Sequence, residues 1–268
     1  MADTSGLDVA LVERGLARSR TRARILIEAG EVAVGGVVTT KTSLRVGPDE
    51  AVEVTSDRDK WVGRAAGKLV GALADFDIPV DGRRCIDIGA CTGGFTPVLL
   101  EQGAAHVIAL DVGHDQLAPE IAADPRVSDR SGTTIRGLGP EDIGGAVDLA
   151  VGDLSFISLR LVLAEIHSLL TTGGDAVLLI KPQFEVGRHR LGRKGVVTDP
   201  AARRGAIEAV LERAAEVGFA VLGVTRSPVR GGEGNREYLV HLTARTGEGL
   251  SWQAQQVIAH DLTQEEDR

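Results

Sequence analysis

Residues 85–96 read Cys-Ile-Asp-Ile-Gly-Ala-Cys-Thr-Gly-Gly-Phe-Thr. An apolar strand-like run passes into a glycine turn and then into the start of a helix. In an open α/β sheet such a turn lies at the carboxyl end of the first strand, where ligands bind. The dinucleotide spacing G-x-G-x-x-G is not met, because counting from Gly89 the next required glycine falls on Cys91; the glycines present are Gly89, Gly93 and Gly94. About 20 residues on, Val-Ile-Ala-Leu-Asp-Val-Gly puts Asp111 at the end of the next strand, where a carboxylate can take both hydroxyls of a ribose.

A glycine loop followed by a second-strand acid implies an adenosyl cofactor, and the missing dinucleotide spacing favours S-adenosylmethionine over NAD. Either signal alone would fit a plain turn with a solvent-facing acid. The expected cofactor contacts are Gly89, Ala90, Cys91, Thr92, Gly93, Gly94 and Phe95, with Asp111 and Val112.

Outward from this loop, strands and helices alternate. Strands are expected at 84–89, 106–111, 147–152 and 176–181, with helices at 94–102 and 158–170. A helix at 199–216 precedes strands at 219–226 and 237–244, which lack a helix between them and so predict an antiparallel edge pair. The class is therefore α/β, a mostly parallel sheet with helices on both faces. Upstream, residues 7–16 predict a short helix, and Ser19 an N-cap for a second helix running to Gly30. Short β-like runs at 31–34 and 51–54 follow, with Gly35-Gly36 as a turn. The polar stretch before Trp61 reads as a junction, which divides the chain into 1–57, a linker at 58–63, and 64–268 with an acidic tail from 245 that has room for a short helix.

The chain has 268 residues, enough for two domains with a real core, and its 43% hydrophobic and 25% charged content is that of a globular protein. A net charge of -8 weighs against a polyanion partner, but distribution matters more than the sum. Arg14, Arg18, Arg20, Arg22 and Arg24 crowd one segment, a pattern that phosphate contacts explain better than a solvated charge run. With aromatics at 3%, such contacts would read backbone and shape more than stacked bases. Cys85 and Cys91 make neither a disulfide framework nor a metal-ligand set, so no metal site and a reducing, cytoplasmic location are expected. The start carries no signal-peptide pattern, and no apolar stretch approaches the ~18 to 20 residues that span a bilayer, so no membrane role is expected.

Two charges sit where buried strands should end: Asp153 after Val-Asp-Leu-Ala-Val-Gly, and Lys181 after Ala-Val-Leu-Leu-Ile. Carboxyl ends of neighbouring strands converge on one cleft, so both should face the pocket bordered by Gly89 and Asp111. Asp153 is followed by Leu-Ser-Phe, not the Pro-Pro-Tyr type of sequence that holds a base amino group, and neither cysteine follows a proline as a nucleophile on a pyrimidine would. Oxygen remains the better acceptor. A hydroxyl must lose its proton as it attacks, and a lysine can help only if its pKa falls from about 10.4 through burial or a second cation. Lys68, opening an apolar helix, is a candidate second lysine, and Glu237 is another charge at a strand start. Taken singly, each fits a surface position, and the choice of base between Lys181 and Lys68 stays open.

The stretches ERGLARSR (13–20), KLVGAL (68–73), GACTGGFT (89–96), GAAHVIALDVG (103–113), DLSFISL (153–159), KPQFEVG (181–187) and GNREYLV (234–240) together resemble the TlyA family of ribosomal RNA 2′-O-ribose methyltransferases, sometimes labelled haemolysin A. The resemblance runs from about residue 7 to 244. It implies an RNA-binding module of the ribosomal-protein S-four type before a Rossmann-like S-adenosylmethionine-dependent methyltransferase domain. It implies a Lys-Asp-Lys-Glu catalytic set on Lys68, Asp153, Lys181 and Glu237. The implied substrate is cytidine in 23S, and for the actinobacterial type also 16S, ribosomal RNA within 50S and 30S subunits, methylated by a monomer and linked to capreomycin sensitivity. Three departures stand out: Asp59-Lys60-Trp61-Val62, with Arg58 one place early, replaces an Arg-x-Trp-Val linker, Val62-Gly63-Arg64-Ala65 replaces the following Val-Ser-Arg-Gly, and Thr134 stands where the family has Asn. The rival readings are an RNA-binding protein with an inactive methyltransferase fold and a lytic protein.

Overall fold

The computed structural model describes residues 4–17, 19–28, 30–55, 65–187 and 191–264. The chain divides into two units, Met1–Trp61 and Val62–Arg268; the expected linker at 58–63 lies outside the described residues.

The first unit runs β1 (Ser5–Gly6), α1 (Leu7–Glu13), α2 (Arg20–Glu28), β2 (Val32–Val34), β3 (Val37–Thr39), β4 (Arg45–Val46) and β5 (Val52–Val54). Strands β3, β2 and β5 form an antiparallel sheet in that order, and β1 pairs with β4. Gly35 and Gly36 both hold φ above zero, the requirement of a two-residue hairpin loop closing the Val34–Val37 pair. The two helices bury Leu7, Leu11, Leu26 and Ile27 against Val32 and Val46. Helix α1 ends just before Gly15, the expected stop, which turns left-handed at φ 70 while the amides of Leu16 and Ala17 fold back onto the Leu11 carbonyl.

The second unit begins with α3 (Ala65–Asp75) and continues β6 (Arg84–Ile88), α4 (Thr96–Glu101), β7 (His106–Asp111), α5 (Pro119–Ala122), β8 (Val127–Ser131), β9 (Val147–Gly152), α6 (Leu163–Leu169), β10 (Leu170–Ile180), α7 (Pro182–Glu185), α8 (Pro200–Glu216), β11 (Ala220–Arg226), β12 (Tyr238–Thr243) and α9 (Trp252–Gln264). Seven strands make one sheet in the order β11-β12-β10-β9-β6-β7-β8. Strands β6 to β10 run parallel, and β12 lies antiparallel between β10 and β11. The core is aliphatic, with Ile86, Ile88, Ile108, Leu110, Leu178 and Ile180 among its buried members.

The structure keeps some of the sequence expectations and departs from others. The expected antiparallel edge pair is present: β11 is the outer strand, and β12, buried along its whole length, lies between β11 and β10. Strand β8, Val-Ser-Asp-Arg-Ser, has no apolar alternation because it is the opposite edge. Strand β10 starts at Leu170, before the polar Thr-Thr-Gly-Gly stretch that hides it, with a register shift against β9 there. The acidic tail contains a 13-residue helix, α9, that buries Ala259 in the core; Arg226 of β11 donates to the Leu262 carbonyl. The expected helix 158–170 is a 3-10 turn, Leu159–Leu161, followed by α6.

Because β7 and β8 lie to one side of β6 and β9 and β10 to the other, the chain reverses direction between β6 and β9, which opens a crevice at their carboxyl ends. Gly89, at φ 84, lets these ends close up: a Cβ there would stand 3.1 Å from the Asp153 carbonyl oxygen. Gly89→Ala is therefore expected to lower stability by about 1–3 kcal/mol. A urea titration with an unchanged slope and a lower midpoint would bear this out, and an unshifted midpoint would contradict it.

Candidate active site

Four charged side chains from four different elements meet in the crevice. Lys68 lies on α3 among Ala66, Leu69, Ala72 and Leu73, whose burial draws its stem inward. Asp153 follows β9 directly, its amide donating to the Ile88 carbonyl at 3.2 Å. Lys181 follows β10 and caps α7, with Pro182 fixing the first helical position. Glu237 precedes β12, where Gly231 makes room for it: a Cβ on Gly231 would lie 2.1 Å from its Oε1.

The charges form a chain. Lys181 Nζ contacts Asp153 Oδ1, and Lys68 Nζ donates to Asp153 Oδ2 at 3.2 Å and to Glu237 Oε2 at 2.7 Å. Ser155 accepts from Lys181 at 2.8 Å, and Gln183 donates to Glu237 Oε1 at 3.2 Å. Side-chain exposure is 8% for Lys68, 15% for Asp153, 9% for Lys181 and 2% for Glu237, so the two cations and two anions compensate each other largely without water. The structure thus brings together all four residues that the sequence pointed to.

A buried carboxylate on α7 locks the loops that carry this chain. Glu185 accepts from Ser158 Oγ at 2.6 Å, from the Leu159 amide at 2.7 Å and from Arg160 Nε at 3.2 Å. Between Asp153 and Ser158, Phe156 holds φ 63 and is 92% exposed, with its ring 5.4 Å from that of Phe184. A left-handed Phe costs of order 1–3 kcal/mol, and here it holds a bare aromatic face against Phe184, whose ring centre lies 5.9 Å from Lys181 Nζ.

On the other side of Gly89, the loop 89–95 faces Asp111. Asp111 accepts from the Cys91 amide at 2.8 Å through Oδ2 and from the Gly113 amide at 2.7 Å through Oδ1. Each oxygen keeps a further lone-pair site, as a pair of ribose hydroxyls requires. Val112 beside it is 67% exposed, an apolar surface suited to a base. Cys91 and Thr92 are exposed, whereas Gly93, Gly94 and Phe95 pack inward; a Cβ on Gly93 would strike Ile121, and one on Gly94 would strike Ala65. This donor set fits an adenosyl group. Thr134 lies exposed in the loop after β8, its hydroxyl accepting from the Arg136 amide.

Sequence reasoning missed Asp87, Ser155, Phe156, Gln183, Phe184 and Glu185. Only Asp87 carried a signal, a lone acid in an apolar strand. It is 1% exposed and accepts from Thr96 Oγ1 at 2.8 Å, joining β6 to the start of α4.

In the first unit the arginine cluster divides. Arg14 donates to the carbonyls of Gly47, Pro48 and Glu50, tying the turn before β5 to α1. Arg20 and Arg24 share the buried Asp8 carboxylate. Arg18, and the side chain of Arg22, lie outside the described residues.

Burial pushes the Asp87 carboxyl up to about 7, with Asp153 and Asp111 adding to the rise and hydrogen bonds from Thr96 opposing it. The folded protein then keeps a proton that the unfolded chain releases near its ordinary value of about 3.9. Stability from this group is full at low pH and falls as pH climbs from about 4 to about 7, by at most about 4 kcal/mol. Asp87→Asn is expected to flatten that slope in denaturant midpoints measured from pH 5 to 8; a variant with the parent slope would refute the assignment.

Comparison with known proteins agrees with this geometry. Residues 61–244 match the FtsJ-like methyltransferase family and residues 5–52 the S4 domain. The 16S/23S rRNA (cytidine-2′-O)-methyltransferase TlyA of Mycobacterium tuberculosis strain H37Rv is 50% identical over 94% of both chains. Hemolysin A of Brachyspira hyodysenteriae is 36% identical over 88% of this chain and 98% of its own. A solved structure from Streptococcus thermophilus bearing the label hemolysin is 33% identical, with a TM-score of 0.74 over 99% of this chain and 98% of that one. Sheet order, site and relatives converge: the chain belongs to the TlyA branch of the FtsJ-like methyltransferases, an S4 domain followed by a Rossmann-like methyltransferase domain.

Proposed function

We propose that the protein methylates the ribose 2′-hydroxyl of cytidine in ribosomal RNA, using S-adenosylmethionine and acting on 50S and 30S subunits in the cytoplasm. The observation that carries this reading is the Lys181–Asp153–Lys68–Glu237 chain next to the Gly89 loop. The M. tuberculosis relative is named for this reaction, which supports the substrate assignment. A link to capreomycin-type sensitivity belongs to the same reading. The lytic label of other relatives finds no support in a spanning helix: among the described residues no helix is long and apolar enough to cross a membrane.

Bound S-adenosylmethionine supplies the methyl group that the hydroxyl oxygen attacks. This chain's residues hold and deprotonate that oxygen. As the new O–CH₃ bond forms, the hydroxyl proton must leave, and we assign it to Lys181, which accepts it as a neutral amine after first giving its own proton to solvent; Lys181 shares one carboxylate, whereas Lys68 is hydrogen-bonded to two. Asp153 aims Lys181, and Glu237 with Lys68 keeps Asp153 in place. Asp111 and the loop amides orient the ribose of the cofactor. Phe156 and Phe184 offer a face on which a base turned out of its stack can rest. Arg20 and Arg24 serve the RNA backbone, while Arg14 serves packing.

Lys181→Ala is expected to bind S-adenosylmethionine within about threefold of the parent in calorimetry, yet to lose methyl transfer to purified subunits by about 10²-fold or more, the scale of a lost proton acceptor. Near-normal transfer would remove Lys181 from the mechanism.

A further inference from the structure

The S4 unit contains an acid where an RNA-binding face should avoid one. Asp8, in the first turn of α1, is 5% exposed, yet three guanidinium nitrogens reach its Oδ2: Arg20 Nε at 3.2 Å and Nη2 at 3.1 Å, and Arg24 Nε at 3.0 Å. Arg20 and Arg24 stand four residues apart on α2, so they share one face, and their side chains remain 61% and 56% exposed. The carboxylate is held below its usual range by the two arginines, which outweigh the burial that would raise it.

Two features separate this from an ordinary ion pair. One carboxylate needs one cation, so the second guanidinium leaves the cluster with a net positive charge on an exposed face. Arg20 also opens α2, whose first turn has no acid, although cations are disfavoured at a helix start by the helix dipole. The sequence thus keeps cations where they cost stability, and it anchors them from below. Arg24, gripped through Nε, still presents both terminal amino groups, and Arg20, gripped through Nε and Nη2, still presents Nη1, donors that match a phosphate.

We propose that Asp8 is a positioning residue for RNA binding: its carboxylate holds the Arg20 and Arg24 guanidiniums side by side so that both meet phosphates of one RNA backbone segment. The proposal rests on the ribosomal RNA reading above. It predicts an effect opposite in sign to simple electrostatics. Removing a negative charge near RNA should tighten binding, whereas losing the anchor should weaken it.

The test uses the full chain with purified 50S subunits, by filter binding at two salt concentrations and by steady-state methyl transfer. For Asp8→Asn the expected result is about tenfold weaker binding and a matching rise in KM for subunits, with kcat at saturation retained. Asp8→Glu should bind within about threefold of the parent. Asp8→Asn binding as tightly as the parent, or more tightly, would overturn the proposal. Should Asp8→Asn unfold the S4 unit, the Arg20→Lys, Arg24→Lys double variant keeps the charge but loses the fork. It should show the same loss, and parent-like affinity would overturn the proposal. If the parent chain itself failed to bind subunits, the ribosomal RNA reading would fall; parent binding with unaffected variants defeats only the role of Asp8.

Discussion

Asp153 lies between two lysines at the carboxyl end of β9, and the surrounding architecture serves that contact. Neither lysine comes from the same element as the acid, so the first turn of α3 and the carboxyl ends of β9 and β10 must meet near one point. The chain closes with Glu237, which enters from the antiparallel strand β12 and needs the bare backbone of Gly231. Buried ion sets of this kind are poor devices for stability, because desolvation offsets most of the attraction, and removing one member of a buried pair costs about 3–5 kcal/mol. Their placement is better explained by the reaction they border than by the fold.

The same crevice couples the two halves of the site. Gly89 brings the cofactor loop against the Asp153 backbone, and Asp111 fixes that loop through the Cys91 amide. Glu185 then binds the loop after β10 to the loop after β9, so Lys181 and Ser155 are held in register by hydrogen bonds that touch neither. The strained, exposed Phe156 sits inside that clamped loop, which is where rigid support is needed to keep a non-glycine residue left-handed.

Much of this was legible in the sequence because parallel strands are apolar runs, and a charge at the end of such a run stands out. Lys181, Asp153 and Asp111 stand out that way; Lys68 and Glu237 stand out more weakly, as a lone base opening an apolar helix and an acid at a strand start, and the family resemblance implies the full set of four. What sequence could not supply was depth. Asp87 differs from Asp111 only by burial, and Glu185 looks like any acid in a short helix until its three donors are seen. Polar edges hid β8 and the start of β10. A run of five arginines read as one patch, although Arg14 points its donors at carbonyls and Arg20 and Arg24 share a buried acid.

The central claim is methyl transfer to a ribose oxygen, and the chemistry of the product tests it directly. Purified 50S and 30S subunits would be incubated with the protein and methyl-labelled S-adenosylmethionine, and the extracted RNA hydrolysed in alkali. A 2′-O-methyl group blocks cleavage at its own nucleotide, so the account requires the label to appear in alkali-stable dinucleotides that begin with cytidine. Label recovered in ordinary mononucleotides would place the methyl on a base and contradict it.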